Sequence, residues 1–443
     1  MSILPSSAAD PFAEPLTFDD LVNYFHAGAK PRERWKVGAE FEKFLLERVT
    51  GRAVSHDEPG GVGEVLKSLA VRFGWQPMST GSRLVLLARD GAHVSLEPGG
   101  QVEFSTPPLV NLHDIERQFR THISELKAVV DPARRAWVAA GVTPFARVDD
   151  IPAPVRRRHR CMAELLPARS ATAQHMMKAT ASTQVAFDYE GEADAVRKFA
   201  VALTLGPVVN AVWGNSPLYG GTPTGWSSYR GWVWLGMDPD RSGLLTHLLA
   251  GGLTFERWAN HLLDVPMLFV LDGRNYRPAG GRTFRQFWQH GIDGRFPTRT
   301  DWEVHITTVF PEVRLKQFLE VRGADANTTP LALAVPAVWK GLLYDEDALS
   351  AAADVAEQFP PADLCGLFEA VARRGLAAEF GGRTVCAWAK DVMTIAAGGL
   401  PADERRFLDP VFAVLDAGRS PGMGWEAETD LSPAAVLPKF EYV

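Results

Sequence analysis

Two glutamates on either side of a predicted hairpin could bind a cation together. The segment Ser95–Ser105 has polar residues at odd positions and apolar residues at even positions on both sides of Pro98–Gly100. This alternation is typical of strands with one buried face. A three-residue loop over Pro98–Gly100 pairs Glu97 with Gln101, and Glu97 and Glu103 then lie on one face. Two carboxylates on one face repel each other unless a cation lies between them, and a divalent metal ion is a candidate.

A second pair of carboxylates lies on a predicted strand from about Trp35 to Leu46. Glu40 and Glu42 are two residues apart, so they share one face of this strand, while Phe41 lies on the other. A simpler interpretation of the hairpin pair is the solvated outer face of an antiparallel sheet. The metal-site and solvated-face interpretations both remain open at this point.

Basic residues alternate along a third predicted strand, from Phe310 to Arg322. Its odd positions are mostly apolar, and one polar face carries Arg314, Lys316, Glu320 and Arg322. Because the whole chain has a net charge of −7, a local group of cations is typical of a polyphosphate site. The alternative is an exposed face that pairs with acidic neighbours.

Two further segments carry weaker signals. The basic run Arg156–Arg160 favours the solvated face of a helix. The segment Gly220–Asp240 contains Trp226, Trp232 and Trp234, which are more tryptophans than a surface loop normally carries. This segment is predicted either to pack into a cleft or to form a structural aromatic cluster.

No standard nucleotide or hydrolase motif accounts for these residues. The chain contains no phosphate loop of the G-x-x-x-x-G-K-[ST] type, no G-x-G-x-x-G after a strand, no H-E-x-x-H and no G-x-S-x-G. A nucleotide would therefore have to be held on the sheet by metal ions and arginines. The acidic net charge argues against binding to nucleic acid or to an anionic membrane surface.

The cysteine content and the N-terminus bear on the compartment. Cys161, Cys365 and Cys386 are far apart and lack metal-site spacing, which argues against a disulfide framework or a zinc site and favours a reducing cytosol. Met1–Pro15 has no signal-peptide pattern, and no run of about 18 apolar residues predicts a membrane span. We therefore expect a cytoplasmic location.

The elements that must position the polar residues form one large unit. Residues 1–16 are predicted to be disordered, and residues 17–443 are predicted to form a single catalytic domain with a helical C-terminal portion from about residue 330. The other predicted elements are a helix start at Thr17, helix Gly61–Phe73, strand Arg83–Arg89, helix Leu112–Ala140, strand Val142–Arg147, strand Thr180–Tyr189, helix Glu192–Trp213 and the C-terminal helices Leu331–Leu343, Asp347–Gln358, Pro361–Arg374, Val385–Ala397 and Pro401–Ala417.

The chain resembles glutamate–cysteine ligases of the plant and proteobacterial type from about Lys36 to Gly398. The matching stretches occur in the same order and include Val37–Phe44, Ser95–Ser105, Thr180–Asp188, Asn215–Pro217, Asp264–Met267, Thr283–Phe287, Thr307–Arg314, Glu320–Asp325 and Gly341–Asp345. The resemblance implies an α+β fold in which a curved, mostly antiparallel β-sheet funnel is surrounded by helices, as in glutamine synthetase-like catalytic domains. It also implies an ATP-dependent ligase that joins the γ-carboxylate of L-glutamate to the amine of L-cysteine through a γ-glutamyl phosphate, with two or three Mg²⁺ ions.

The resemblance further implies roles for particular residues. Arg322, Glu320 and Arg230 would form the catalytic group, and Arg230, Trp234 and Gln184 would contact the substrate glutamate or its surroundings. The nucleotide phosphates would contact Arg314, Lys316 and Arg322. The metal-binding carboxylates would be Glu40, Glu42, Glu97, Glu103 and Glu320. The chain departs from the plant pattern at Ala186 and Gly236-Met237, and it lacks the cysteine pairs of the plant regulatory disulfides.

Three functions remain open at this level. The first is a glutamate–cysteine ligase that supplies glutathione or ergothioneine biosynthesis. The second is a carboxylate–amine ligase of the same fold with another amine acceptor, and the third is a non-catalytic relative that binds nucleotide or metal. The expected partners are the small molecules L-glutamate, L-cysteine and ATP, without nucleic acid or membrane, and the expected state is a monomer or a weak dimer.

Overall fold

The structure is a computed structural model that describes residues 16–78, 83–273 and 275–442. The disorder predicted for residues 1–16 therefore lies, except for Leu16, outside the described residues. The strands within them are β1 Val37–Glu47, β2 Gln76–Pro77, β3 Leu86–Arg89, β4 Ala92–Leu96, β5 Val102–Ser105, β6 Arg135–Val138, β7 Ser182–Phe187, β8 Leu218–Tyr219, β9 Thr222–Pro223, β10 Ser242–Gly243, β11 Phe269–Asp272, β12 Asn275–Pro278, β13 Phe310–Pro311, β14 Val313–Leu315, β15 Leu319–Asp325, β16 Glu379–Phe380 and β17 Arg383–Thr384.

The helices surround the main sheet and supply most of the C-terminal part. They are α1 Phe18–His26, α2 Val62–Phe73, α3 Leu112–Ala128, α4 Arg157–Leu165, α5 Ala173–Ala179, α6 Glu192–Asn210, α7 Tyr229–Leu235, α8 Phe255–Asp264, α9 Phe284–His290, α10 Arg299–Ile306, α11 Thr329–Leu343, α12 Glu346–Ala356, α13 Leu364–Arg374, α14 Val385–Gly398, α15 Asp409–Ala417 and α16 Pro433–Phe440. The helix start predicted at Thr17 is confirmed, because the Thr17 hydroxyl accepts a hydrogen bond from the backbone N–H of Asp20.

Among the described residues, the main sheet has nine strands and is antiparallel at every pairing along its path. The strands follow the order β14-β15-β7-β1-β5-β4-β3-β2, and β6 also pairs with β1. The path ends at β14 and β2, so within the described residues the sheet is open and not a closed barrel. The expected α+β fold with a mostly antiparallel sheet is confirmed.

The apolar face of β1 fixes which way its glutamates point. Val37, Ala39 and Phe41 are almost completely buried, and the ring of Phe41 stacks on Phe119 of α3 with the ring centroids 4.1 Å apart. Because successive side chains of a strand point to opposite faces, this packing directs Glu40 and its even-numbered neighbours to the other face of the sheet.

The predicted three-residue hairpin loop is confirmed. The backbone N–H of Glu97 donates to the carbonyl of Gln101 at 2.9 Å, and Leu96 lies opposite Val102. Gly100 has a φ of +85°, a conformation that suits glycine. The loop length therefore keeps the polar residues of β4 and β5 on one face.

The strand predicted from Phe310 to Arg322 is a hairpin, so this prediction was wrong in its connectivity. Arg314 of β14 lies opposite Glu320 of β15, and the backbone N–H of Lys316 donates to the carbonyl of Phe318 at 2.8 Å. Because three residues separate the paired strands, even-numbered side chains stay on one face. The alternation alone could not distinguish this hairpin from a continuous strand.

Two other element predictions were wrong. The helix predicted over Leu112–Ala140 ends at Ala128, because a turn at Asp131-Pro132 leads into β6, which pairs with β1. Proline lacks the N–H that a helix interior needs. The strand predicted over Val142–Arg147 is reduced to one isolated bridge between Val142 and Thr180.

Helix α6 packs inside the helical layer. The predicted helix Glu192–Trp213 is confirmed, although its last three residues form a 3₁₀ turn. By length and mean hydropathy (1.3) Glu192–Trp213 could cross a membrane, but 78% of its apolar window is buried within the protein. The helix therefore serves as a core helix here. Of the five helices predicted after Pro330, the last is shorter than expected and begins at Asp409.

Candidate active site

One cavity of about 150 Å³ is lined by the polar face of the central strands. It brings together four predicted metal-binding residues, Glu40 and Glu42 of β1, Glu97 after β4 and Glu103 of β5. Glu42 lies directly opposite Glu103, and Glu40 lies opposite Gln184 of β7. The register of adjacent strands thus collects these four glutamates on one surface, which we call the carboxylate wall.

Hydroxyl and amide groups hold the glutamates of the carboxylate wall. The Oε2 atom of Glu42 accepts hydrogen bonds from the backbone N–H of Ser182 at 2.6 Å and from its hydroxyl at 3.0 Å. The Oε1 atom of Glu103 accepts from the hydroxyls of Ser105 at 2.9 Å and Ser95 at 3.2 Å. Since Glu103 is only 5% exposed, the interpretation of this surface as a solvated sheet face is wrong.

Burial and mutual repulsion raise the pKa values of Glu42, Glu97 and Glu103 in the carboxylate wall. Burial raises the pKa of Glu103 to about 8, and the charges of Glu40 and Glu97 add to the rise. Burial also raises the pKa of Glu42 to about 7, with Glu103 as the next cause. The pKa of Glu97 rises to about 7 through burial and then through Glu42. A cation placed among these groups would remove the repulsion.

The chemistry of the carboxylate wall suits a hard divalent cation. Its donors are carboxylate oxygens with serine hydroxyls and the Gln184 amide nearby, and such oxygen ligands are those that Mg²⁺ prefers. In the part of the chain that the structure describes, no three His, Cys, Asp or Glu side chains stand together as a preformed metal site. The donor set therefore fits Mg²⁺ in type, while the ligand geometry would have to form on binding.

Glu320 is placed differently from the other predicted metal ligands. Its carboxylate accepts hydrogen bonds from Arg314 Nε at 2.6 Å, Lys316 Nζ at 3.2 Å and Arg322 Nη1 at 3.2 Å. Burial alone would raise its pKa, but these three cations outweigh burial and hold the pKa well below its usual range. Glu320 thus acts here as the counter-ion of a cationic cluster, and its role as a metal ligand stays a prediction that requires one of these ion pairs to open.

The three predicted phosphate-binding cations are not equivalent. Arg314 and Arg322 line the cavity. Lys316 is 4% exposed and does not line it; its ammonium group lies 4.4 Å from the centre of the Phe318 ring. Burial lowers the pKa of Lys316 to about 8. Lys316 forms an ion pair with Glu320 and can act on a ligand through that carboxylate.

A β-bulge aims Arg322 into the cavity. The register between β15 and β7 shifts between Val321 and Ala324, so Arg322 and Gly323 lie opposite Gln184. The Nη1 atom of Arg322 donates a short hydrogen bond to the Gln184 side-chain oxygen. A Cβ atom at Gly323 would clash with the side chains of Asn210 and Glu312, so a larger residue in the bulge would have to displace them.

Arg230 reaches the same bulge from α7. Its Nη1 and Nη2 atoms donate to the carbonyls of Gly323 and Arg322, each at 2.9 Å. The remaining Nε is buried and has no hydrogen-bond partner among the described residues, and the same is true of the indole N–H of Trp234. The guanidinium carbon lies 5.6 Å from the centre of the Trp234 ring. Both residues line the cavity, and each carries one buried donor without a hydrogen-bond partner among the described residues.

The tryptophans of the 220–240 segment divide between the two predicted roles. Trp234 lines the cavity, as the cleft interpretation predicts. Trp232 instead stacks on Tyr229 with the ring centroids 4.8 Å apart, and Trp226 lies 6.4 Å from Trp232. The aromatic-cluster interpretation therefore holds for Trp226 and Trp232.

Part of the basic run Arg156–Arg160 belongs to the cavity, which the sequence interpretation missed. Arg156, Arg158 and His159 line it from the start of α4, whereas Arg157 and Arg160 are exposed as predicted. The sequence contained a pattern from which this placement could have been predicted. Arg158, His159 and the apolar Met162 follow helical i, i+1, i+4 spacing, which places them on one inward face.

Curated relatives cover nearly the whole chain. The chain is 37% identical over 426 residues to the chloroplastic glutamate–cysteine ligase of Brassica juncea, a match that spans 94% of this chain and 82% of that protein. It is 36% identical over 423 residues to the chloroplastic glutamate–cysteine ligase of Arabidopsis thaliana, which spans 94% of this chain and 80% of that protein.

These relatives contradict the expectation of a cytoplasmic location, because they are chloroplastic enzymes. The expectation rested on cysteine content and on the lack of a signal-peptide pattern in Met1–Pro15. The three cysteines are free thiols, and free thiols indicate a reducing compartment without identifying which one. The cytoplasmic assignment was therefore wrong as an inference from this chain.

A solved structure and a family model complete the comparison. The glutamate–cysteine ligase of Francisella tularensis in complex with AMP superposes with a TM-score of 0.57 over 92% of this chain and 87% of that chain, and at 13% identity this likeness shows the fold alone. The model of glutamate–cysteine ligase family 2 matches residues 36–422. This match, together with the relatives above, shows that the chain belongs to glutamate–cysteine ligase family 2.

Proposed function

We propose that this ligase joins the γ-carboxylate of L-glutamate to the amine of L-cysteine at the expense of ATP. A γ-carboxylate oxygen attacks the γ-phosphorus and ADP leaves, which gives a γ-glutamyl phosphate. The cysteine amine then attacks the acyl carbon, phosphate leaves with the former carboxylate oxygen, and the amine loses a proton. The observation that carries this proposal is that the carboxylate wall and two arginines, Arg314 and Arg322, line one cavity.

The carboxylate wall would hold two or three Mg²⁺ ions. A bound Mg²⁺ supplies positive charge to the oxygens of a transferring phosphoryl group and orients them. The residues proposed to hold the ions are Glu40, Glu42, Glu97 and Glu103, with Glu320 as a further ligand if its ion pairs open. Serine hydroxyls around Glu42 and Glu103 fix the orientation of the two carboxylates.

Arg230 and Trp234 would bind the α-carboxylate of glutamate. The Arg230 Nε and the Trp234 indole N–H lack partners among the described residues, and a carboxylate accepts hydrogen bonds from both. Because Nη1 and Nη2 of Arg230 are bound to the backbone carbonyls of Gly323 and Arg322, the guanidinium cannot rotate away. The same contacts connect the glutamate subsite to the bulge that carries Arg322.

Arg322 would stabilise the charge of the transferring phosphoryl group. Gln184 and Glu320 orient its guanidinium, and Arg314 and Lys316 balance the charge of Glu320. Preorganised cations that face developing negative charge are a main source of phosphoryl-transfer catalysis. In this proposal Arg322 touches the reacting group, and Glu320 positions it.

The test is phosphate release from ATP with Mg²⁺, L-glutamate and a panel of amines, with the products identified by mass spectrometry. The proposal expects γ-glutamylcysteine and one phosphate for each amide bond. Phosphate release with another amine only would indicate the alternative ligase, and no turnover with any amine would indicate a non-catalytic relative. γ-Glutamylcysteine would serve glutathione or ergothioneine biosynthesis equally well.

We also propose that residues 17–443 act as one catalytic unit, a monomer or weak dimer without nucleic-acid or membrane partners. One hydrophobic cluster extends from Leu21 to Tyr442, and the net charge of −7 disfavours polyanions. Light scattering during gel filtration tests the oligomeric state.

A further inference from the structure

Glu97 is held in the carboxylate wall differently from Glu42 and Glu103. Serine hydroxyls orient the carboxylates of Glu42 and Glu103. Among the described residues, Glu97 is hydrogen-bonded only through its backbone, whose N–H donates to the carbonyl of Gln101 and whose carbonyl accepts from Gly100. The position of the Glu97 carboxylate therefore depends on where the backbone of the adjoining Pro98–Gly100 loop lies.

The side chain of Gln101 fixes this loop. Gln101 follows the loop directly, lines the cavity and is only 2% exposed. Its Oε1 atom accepts a hydrogen bond from the backbone N–H of Gly99 at 2.8 Å. Its Nε2 atom donates to the carbonyl of Thr180 at 2.7 Å and to that of Met177 at 3.4 Å. Because the donor end faces carbonyls and the acceptor end faces an N–H, the orientation of the amide is fixed and both of its ends are engaged.

The loop also packs directly on the end of α5. A Cβ atom at Gly99 would clash with the backbone of Lys178, which cannot swing aside as a flexible side chain can. The loop and α5 thus meet backbone to backbone at Gly99, and the Gln101 amide joins the same two segments by hydrogen bonds.

This bridge connects two parts of the carboxylate wall that the sheet does not join directly. Strand β1 lies between β7 and β5 in the main sheet, so no ladder hydrogen bond links β7 to the β4–β5 hairpin. Two residues after Thr180, the N–H and the hydroxyl of Ser182 hold Glu42. The Gln101 amide therefore ties the loop beside Glu97 to the segment that holds Glu42.

We propose that Gln101 is a positioning residue that holds Glu97 among the other glutamates of the carboxylate wall and thereby raises the affinity of the wall for Mg²⁺. This inference rests on the proposed function and deepens it. Groups that orient a metal ligand without touching the ion commonly change metal affinity by about 10- to 100-fold. Gln101 itself touches neither the metal ion nor the substrates.

The test measures the binding of Mn²⁺, a paramagnetic substitute for Mg²⁺, to the free enzyme by electron paramagnetic resonance. Gln101→Met keeps the length of the side chain but removes both of its hydrogen-bonding ends, and it should raise the half-saturating Mn²⁺ concentration by about tenfold or more. In activity assays, the Mg²⁺ concentration that gives half-maximal rate should rise in parallel. At saturating Mg²⁺, kcat and the KM for glutamate should stay within about threefold of wild type, because Gln101 acts only through metal binding.

Gln76→Met is the matched control. Gln76 is an exposed glutamine of the same sheet whose amide also donates to a backbone carbonyl, that of Gly74, and it does not line the cavity. This variant should bind Mn²⁺ like wild type. Gln101→Asn retains a buried amide that is one methylene group too short to bind Gly99 and Thr180 together. It should weaken Mn²⁺ binding in the same direction, and it keeps the test valid if Gln101→Met fails to fold.

A double-mutant cycle shows whether Gln101 acts through Glu97. In a Glu97→Gln background, Gln101→Met should change the half-saturating Mn²⁺ concentration by less than about twofold, because the ligand that Gln101 positions is already gone. An equal loss of affinity in both backgrounds would refute the coupling between the two residues.

Other results would overturn the inference in distinguishable ways. Unchanged Mn²⁺ binding in both folded Gln101 variants would exclude a role of the amide in metal affinity. A low kcat at saturating Mg²⁺ together with normal Mn²⁺ binding would show that Gln101 supports the reaction by another route. A wild-type enzyme that binds no Mn²⁺ would refute the proposed metal site itself, and the inference with it.

Discussion

Replacing Glu103 by glutamine should change the pH dependence of stability in the metal-free enzyme. Glu103 is 5% exposed, and its pKa is raised from 4.5 to about 8 by burial and by Glu40 and Glu97. Between these two pH values the folded state binds a proton that the unfolded state has released. The free energy of unfolding of the metal-free enzyme must therefore fall as the pH rises toward and past 8.

The magnitude follows from the size of the shift. Each pKa unit corresponds to about 1.4 kcal/mol, so raising the pH from about 5.5 to about 8.5 should cost the metal-free wild type about 3 kcal/mol through Glu103. Glu42 and Glu97, with pKa values raised to about 7, add losses of the same sign. Glu103→Gln cannot lose a proton at this position, and it also removes the charge that raises the pKa of Glu42.

The assay is denaturant unfolding in EDTA at the two pH values for wild type and Glu103→Gln, with the exposed Glu33→Gln as control. Wild type and the control should lose stability at high pH, and Glu103→Gln should lose clearly less. Adding Mg²⁺ should stabilise wild type more at high pH than at low pH, because the deprotonated carboxylates bind the cation. Equal pH dependence in wild type and Glu103→Gln would refute the reasoning about the carboxylate wall.

Two further substitutions test the arginines. Arg230→Lys should raise the KM for glutamate by more than about tenfold, because an ammonium group cannot bind the Gly323 and Arg322 carbonyls and a carboxylate in the same geometry; an unchanged KM for glutamate with a raised KM for ATP would move Arg230 to the nucleotide. Arg322→Ala should lower kcat and kcat/KM by the same factor. The factor should correspond to a loss of about 3 kcal/mol of transition-state stabilisation, as expected for a contact made mainly in the transition state. Full kcat with weaker ATP binding would contradict that role.

The sequence predicted the site best where strand periodicity and loop length were sufficient. The three-residue Pro-Gly-Gly loop places Glu97 and Glu103 on the same face of the sheet. Side chains alternate along each strand, and an odd loop length gives both strands the same alternation. The same rule failed for Phe310–Arg322, since a three-residue turn preserves the parity of a continuous strand. The acidic and basic faces were thus predictable, whereas the hairpin was not.

Contacts between elements that are far apart in the sequence could not be predicted from local residue patterns. The bulge that turns Arg322 toward Gln184 depends on the β15–β7 register, which the spacing within either strand does not specify. The ion pairs that occupy Glu320 depend on the hairpin, which the alternation did not predict. Arg158 was predicted to face solvent because a run of five basic residues is usually exposed. The helical spacing of Arg158, His159 and Met162 instead predicts one shared inward face. In the structure all three residues line the cavity.

The most direct test of the central claim follows one oxygen atom. L-Glutamate labelled with ¹⁸O in its γ-carboxylate is incubated with enzyme, Mg²⁺, ATP and L-cysteine, and the released phosphate is analysed by mass spectrometry. If the cavity activates glutamate as an acyl phosphate, each phosphate released with γ-glutamylcysteine carries one oxygen from the γ-carboxylate. Amide formation with unlabelled phosphate would contradict the account, since the γ-carboxylate would then never have been phosphorylated.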